Sequence, residues 1–139
     1  LRKCISRVLV NLLTKFHCLP PSFFISGVDL RSQRPVTSGG FGDIYQGTYE
    51  GKTVAIKLFR MYKPANGPLL MNRRFYREAF VWRSLEHPHV LPFYGIDSAL
   101  FCPGLCIVSP WMENGTLTDH ITRSQCSQAI VTKLVSQFA

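Results

Sequence analysis

Apolar residues recur at three- and four-residue spacings at the start of the chain: Ile5, Val8, Leu9, Leu12, Leu13 and Phe16, with Arg2, Lys3, Arg7 and Lys15 around them. The spacing predicts an amphipathic helix over residues 1–18, stopped by Pro20-Pro21. A membrane-surface helix has the same pattern; packing on a neighbouring element is the favoured reading. From Val28 the period changes to two. Residues 28–36, 43–49 and 53–59 read as successive strands, with turn chemistry at 38–42 and at Glu50-Gly51. Residues 61–67, which include Pro64 and Gly67, read as a loop. Helical spacing returns over 71–86, where Phe75, Ala79, Trp82 and Leu85 form one stripe. Residues 90–96 and 105–109 read as short strands, with a Pro103-Gly104 turn before the second. Glu113-Asn114-Gly115 breaks the chain, and helical stretches around 117–122 and 127–138 follow. Three strands, a helix, two strands and helices make an α+β fold, without internal repeats.

Composition narrows the class. The 139 residues are 46% hydrophobic and 17% charged, which suits a folded domain with a core. No apolar run is long enough to span a bilayer. Arg7 interrupts the apolar segment behind Leu1-Arg2-Lys3, just before the run at 8–13, and no small-residue cleavage site follows, so it is not read as a signal peptide. Residue 1 is leucine, which points to a fragment or an incomplete start. Five cysteines, an odd number without a CxxC pair, argue against a disulfide framework or a zinc site and fit reduced thiols in a cytoplasmic or nuclear setting. Sixteen basic against eight acidic residues give a net charge of +8. They are spread along the chain without a nucleic-acid motif, so no nucleic-acid partner is expected.

Candidate chemistry begins with Ser38-Gly39-Gly40-Phe41-Gly42. Glycines let a backbone approach a ligand closely and aim several N–H groups at one anion, although an isolated cluster more often serves a turn or bulge. Lys57 sharpens the case. Ala55 and Lys57 share a strand face, and a small residue beside a long cation, opposite a glycine loop, leaves room for a flat ring and a charge for its phosphates. Ile44, just past the loop, would lie over that ring, whereas most strand lysines are simply solvated. Glu78 sits on the apolar stripe, three residues after Phe75 and four before Trp82. A carboxylate there needs a partner: Lys57 from the sheet, or Arg74 one turn back on its own helix, a local pair that does not explain a glutamate among apolar neighbours. His87 and His89 flank a proline that fixes a turn, and without a third ligand they read as loop residues, not a metal site.

Together these residues resemble the N-terminal lobe of a eukaryotic protein kinase, in the family's order, from about residue 29 to 138. Phe41-Gly42-Asp43-Ile44-Tyr45 resembles the tip and exit of the glycine-rich loop, and Val54-Ala55-Ile56-Lys57 the strand that carries the ATP-binding lysine. Arg77-Glu78-Ala79 is similar to the centre of helix C, with Glu78 as the lysine's ion-pair partner. His87-Pro88-His89-Val90-Leu91 resembles the approach to the fourth strand. Residues 107–117 are similar to the fifth strand and hinge, with Ser109 as gatekeeper and Pro110-Trp111-Met112 as the segment whose backbone meets adenine. The style of the set is similar to tyrosine-kinase-like serine/threonine kinases, with a lead-in and hinge resembling fungal members.

The resemblance implies a small lobe with a five-stranded antiparallel sheet and helix C over 28–108. It also implies a helical extension and linker over 1–27, a hinge over 109–115 and the start of the large lobe over 116–139. It implies ATP, with magnesium, as cofactor, a protein serine or threonine as phosphoryl acceptor, and a pocket behind Ser109 lined by the stripe that includes Trp82. Two departures stand out. Thr37 occupies the first glycine position of G-x-G-x-x-G, leaving Gly39 and Gly42 in the other two, and a β-branched residue stiffens the loop there. The sequence ends at Ala139, before anything resembling the catalytic loop or the Asp-Phe-Gly segment, so these 139 residues are expected to bind ATP without transferring phosphate. The alternative is an inactive, pseudokinase-like or truncated interaction module.

Overall fold

The computed structural model describes residues 19–40, 42–60 and 73–123. The helix expected over 1–18, the loop over 61–67 and the helix over 127–138 lie outside the described residues, as does Phe41. The described elements are β1 (Val28–Leu30), β2 (Thr37–Gly39), β3 (Gly42–Tyr49), β4 (Lys52–Leu58), α1 (Arg73–Arg83), β5 (Gly95–Asp97), β6 (Cys106–Pro110) and α2 (Leu117–Arg123). A short 3₁₀ turn, Pro21–Phe23, precedes them.

The strands form one antiparallel sheet in the order β1-β3-β4-β6-β5, and β2 also pairs with β3. The strand expected over 28–36 is therefore broken. Residues 28–30 pair with 47–49 and residues 37–39 with 42–44, with exposed, irregular chain between them. Counted as one interrupted strand, β1 and β2 complete the expected five-stranded sheet. Glu50 and Gly51 both take positive φ, 48° and 74°, which is how two residues close the β3–β4 hairpin without splaying its strands.

Register sorts the side chains onto two faces. Ile44, Lys57 and Ile107 lie opposite one another, as do Gln46, Ala55 and Ser109. On this face Phe59, Ile107 and Ile96 pack with Phe75, Tyr76 and Ala79 of α1 and with Phe23 from the lead-in. On the other face Val28, Val54, Ile56, Cys106 and Val108 form a second cluster, covered by Tyr45, Tyr49, Tyr94, Leu100 and Phe101. Asp97 is buried, and its Oδ1 accepts the amide hydrogens of Ala99 (2.8 Å) and Leu100 (2.9 Å), which turns the chain from β5 into that cover.

Two expectations need correction. The strand expected over 90–96 starts at Gly95. The Val90 amide turns back to the His87 carbonyl, the Leu91 carbonyl accepts the Trp82 indole N–H, and Pro92 has no N–H to give a ladder. The expected stripe on α1 holds for Phe75, Ala79 and Trp82, but Leu85 lies beyond the helix and is exposed. At α2 the Thr116 hydroxyl and amide both donate to Asp119 Oδ2, while the Asp119 amide donates back to Thr116 Oγ1, a reciprocal cap. These bonds, hydroxyl first, hold the Asp119 carboxyl below its ordinary range.

Candidate nucleotide cleft

The cleft face of the sheet is built from β2, β3, β4 and β6. Thr37 pairs with Ile44, Ser38 with Asp43 and Gly39 with Gly42, so the chain reverses tightly between Gly39 and Gly42. Its glycines divide into two kinds. At Gly42, with φ of +147°, a Cβ would run into the Leu58 carbonyl oxygen, so the fold itself demands glycine. At Gly39 and Gly40 an added Cβ would meet nothing within 4 Å, and neither takes a positive φ. Neither packing nor backbone conformation requires glycine there. What remains is open space over the cleft mouth, bordered by exposed Ser38, Gly39 and Gly40.

Lys57 projects from near the end of β4. Its Nζ donates to Glu78 Oε1 of α1 at 2.5 Å, with the two side chains 28% and 36% exposed. The pair is half-sheltered: the groups hold each other across the gap between sheet and helix, yet the ammonium stays open to a third partner. The Phe59 ring, two residues along the same face, lies 4.7 Å from Lys57 Nζ and packs edge-on against Phe75 of α1. Its cation–π contact aims the ammonium. Phe59 was not among the sequence candidates, although the same period-two alternation that pairs Ala55 with Lys57 places it.

Ala55 and Ser109 are cross-strand partners, and Ser109 is buried. After β6 the Trp111 amide donates to the Thr53 carbonyl at 3.1 Å, extending the ladder, and the Gly115 amide closes on the Met112 carbonyl at 3.0 Å. The Trp111 N–H is thus committed to β4. The Val108 carbonyl accepts from Tyr94, and the Pro110 carbonyl, two residues on, points to the same side past the end of β5. Trp82 lines a cavity of about 400 Å³ with Arg83, Leu85, Glu86, His87, Val90, Pro92 and Phe93 at the end of α1, where its indole N–H donates to the Leu91 carbonyl at 2.6 Å and its ring packs on Phe93.

Among the described residues no three His, Cys, Asp or Glu side chains converge as a metal site. His87 Nδ1 accepts the His89 amide at 3.1 Å, consistent with their reading as loop residues. Also among the described residues, no helix is long and apolar enough to cross a membrane.

The family model for protein tyrosine and serine/threonine kinases matches residues 30–139, most of the chain. The chain belongs to the protein kinase family. The sheet, the helix and the Lys57–Glu78 pair fall within the matched region. The kinase chain is 32% identical over 96 residues to the serine/threonine-protein kinase STY46 of Arabidopsis thaliana, covering 69% of this chain and 16% of that protein. It is 33% identical over 92 residues to STY17 of the same plant, covering 66% and 15%. It is 29% identical over 90 residues to mitogen-activated protein kinase kinase kinase 10 of Mus musculus, covering 65% and 9%. The chain thus spans less than a fifth of the length of these relatives. They come from a plant and a mouse, so the resemblance to fungal members gains no support from them.

Proposed function

We propose that this chain is the ATP-binding part of a serine/threonine protein kinase. The observation that carries the reading is the 2.5 Å Lys57–Glu78 pair, half-open to the cleft beneath a loop whose Gly39 and Gly40 have no structural reason to be glycine. In this reading the Lys57 ammonium contacts the phosphates and Glu78 holds it in register, so that no rotamer search remains when the nucleotide arrives. Backbone N–H groups around Gly39 and Gly40 close over the phosphates. Ala55 leaves space for adenine, and Ile44 covers the ring. The Pro110 carbonyl and the Met112 N–H take its polar edge, the Trp111 amide being engaged with Thr53.

Magnesium enters, in this family, with the phosphates, and neutralises their charge. Among the described residues no carboxylate cluster stands ready to hold it. In this reading the 139 residues contribute the binding of nucleotide. Transfer to a protein serine or threonine hydroxyl belongs to the longer protein of which this would be the small lobe. The rival, an interaction module, is favoured by no observation of the cleft.

The hinge supplies the test. Met112→Pro removes the N–H assigned to adenine at a half-exposed position. It is expected to weaken ATP and adenosine alike by about 5- to 30-fold, the value of one lost hydrogen bond in a closed site, while inorganic tripolyphosphate binds as before. Equal loss of tripolyphosphate binding, or none of adenosine binding, overturns the adenine assignment. A phosphorylation assay on a general protein substrate should give no turnover with these 139 residues.

A further inference from the structure

Glu78 reaches Lys57 only if α1 is held against the sheet, and the described contacts show what holds each part of the helix. Phe75 packs on Phe59 near its start, and Trp82 bonds to Leu91 and packs on Phe93 near its end. The remaining flank carries Phe80 and Arg83, one turn apart. It is covered by the lead-in. Among residues 19–27 Phe23 alone is buried, with 6% of its surface exposed. Its ring stacks on Phe80 at 6.4 Å and 11°, meets the edge of Phe93 at 6.1 Å, and lies 5.7 Å from the Arg83 guanidinium carbon.

The backbone around Phe23 is tied to the opposite body. The Ile25 amide donates to the Ile96 carbonyl at 2.9 Å, and Phe24 forms a parallel bridge to Ile96, closing the free edge of β5. The Phe23 amide donates to Pro20 and the Phe24 amide to Pro21, each at 3.0 Å, so a proline-stiffened turn sets the angle of the ring. Gly95 records how close this approach is: a Cβ there would lie 2.6 Å from Ile25 Cγ2 and 3.1 Å from the Phe23 carbonyl oxygen. Sheet edge, lead-in and helix therefore form one connected stack.

We infer that Phe23 is a positioning residue for the nucleotide cleft: anchored to β5, it wedges α1 in the orientation in which Glu78 meets Lys57. Swinging the helix outward separates Phe80 and Arg83 from a ring that cannot follow. The lead-in thereby sets the fraction of molecules whose lysine is ready for phosphate. The inference rests on the reading of Lys57 as the phosphate contact, and its test has one arm that does not.

The test compares the full 139-residue chain with its Phe23→Ala, Phe23→Leu and Phe24→Ala variants. Phe24 is the control, 39% exposed on the same segment. Amide hydrogen exchange of α1, measured against that of β3 and β4, needs no nucleotide. Phe23→Ala is expected to speed exchange in α1 while β3 and β4 stay protected, Phe23→Leu to restore most of the protection, and Phe24→Ala to change neither. ATP calorimetry should show about 5-fold weaker binding for Phe23→Ala, as when the competent fraction falls to about one fifth. In a Glu78→Gln background the same substitution should add no further loss, because the route through Glu78 is already cut. Wild-type α1 exchange in Phe23→Ala overturns the inference. So does an unchanged 5-fold loss in the Glu78→Gln background, which would make Phe23 merely structural. If Phe23→Ala does not fold, Phe23→Leu decides by the same two readouts at smaller amplitude. Failure of the wild-type chain to bind ATP would count against the proposed function and leave the exchange result to decide the wedge.

Discussion

Alanine placed at each loop glycine separates the two reasons a sequence keeps glycine. At Gly42 a Cβ points into the Leu58 carbonyl, and the backbone has φ of +147°, where L-residues are strained. The conformational strain is worth about 1–3 kcal/mol. Pushing a main-chain carbonyl aside within a paired hairpin adds a similar overpacking cost of about 1–3 kcal/mol. Gly42→Ala should therefore lose about 2–6 kcal/mol of folding stability. With a urea slope of about 2 kcal/mol/M, that moves the unfolding midpoint down by about 1–3 M. Gly39→Ala and Gly40→Ala meet no atom within 4 Å and no positive φ. Their stability should hold or rise by up to about 1 kcal/mol, because the unfolded chain loses freedom. Their ATP affinity should instead fall about 2- to 10-fold, as a Cβ keeps the phosphates from one backbone N–H. Urea denaturation and calorimetry on the three variants give both columns. A wild-type midpoint in Gly42→Ala would contradict the clash with Leu58. Lower stability with untouched ATP binding in Gly39→Ala and Gly40→Ala would contradict the role of these two glycines.

Three further outcomes follow from the geometry. A double-mutant cycle of Lys57→Met and Glu78→Gln should give a coupling of about 1–2 kcal/mol in stability, more than the few tenths of an exposed pair, because the groups are about two-thirds sheltered at 2.5 Å; a coupling near zero contradicts the pair. The Cys106 thiol is pushed up to about 12, chiefly by burial and secondarily by the Asp97 carboxylate. Under alkylation at pH 8 with peptide mass analysis, exposed Cys102 should react and Cys106 should stay protected until the chain unfolds. The sign for stability follows: a thiol with a raised folded pKa stabilises fully below its ordinary value of 9.0, so stability should fall progressively between pH 9.0 and about 12. Cys106→Ser, which removes that titration, should flatten the alkaline slope in urea denaturation at stepped pH.

What the sequence made legible was periodic and local. Alternation in 43–49 and 53–59 located β3 and β4 to within a residue, because both strands pack on two faces and each face is marked. The same alternation brought Ala55 and Lys57 to the cleft, and helical spacing turned Glu78 toward them. The residues that escaped are those whose placement depends on a partner far along the chain. Phe23 looks like an ordinary loop aromatic until Phe80 and Phe93 surround it. The hinge position of Trp111 is visible in the sequence, whereas the bond from its amide to the Thr53 carbonyl is not. The strand expected from Val90 failed for a similar reason. Its apolar run is real, but Trp82 and His87 claim the backbone groups a ladder would need.

The central claim is that Lys57, held by Glu78, receives the phosphates of ATP, and calorimetry of the chain with ATP against its Lys57→Met variant tests it most directly. Removing the one cation assigned to the phosphates deletes a charge-assisted contact worth about 1.5–3 kcal/mol. Saturable ATP binding by the wild-type chain should weaken about 10-fold or more in Lys57→Met, with adenosine affinity nearly unchanged. Unaltered ATP binding by Lys57→Met in a folded chain would contradict it.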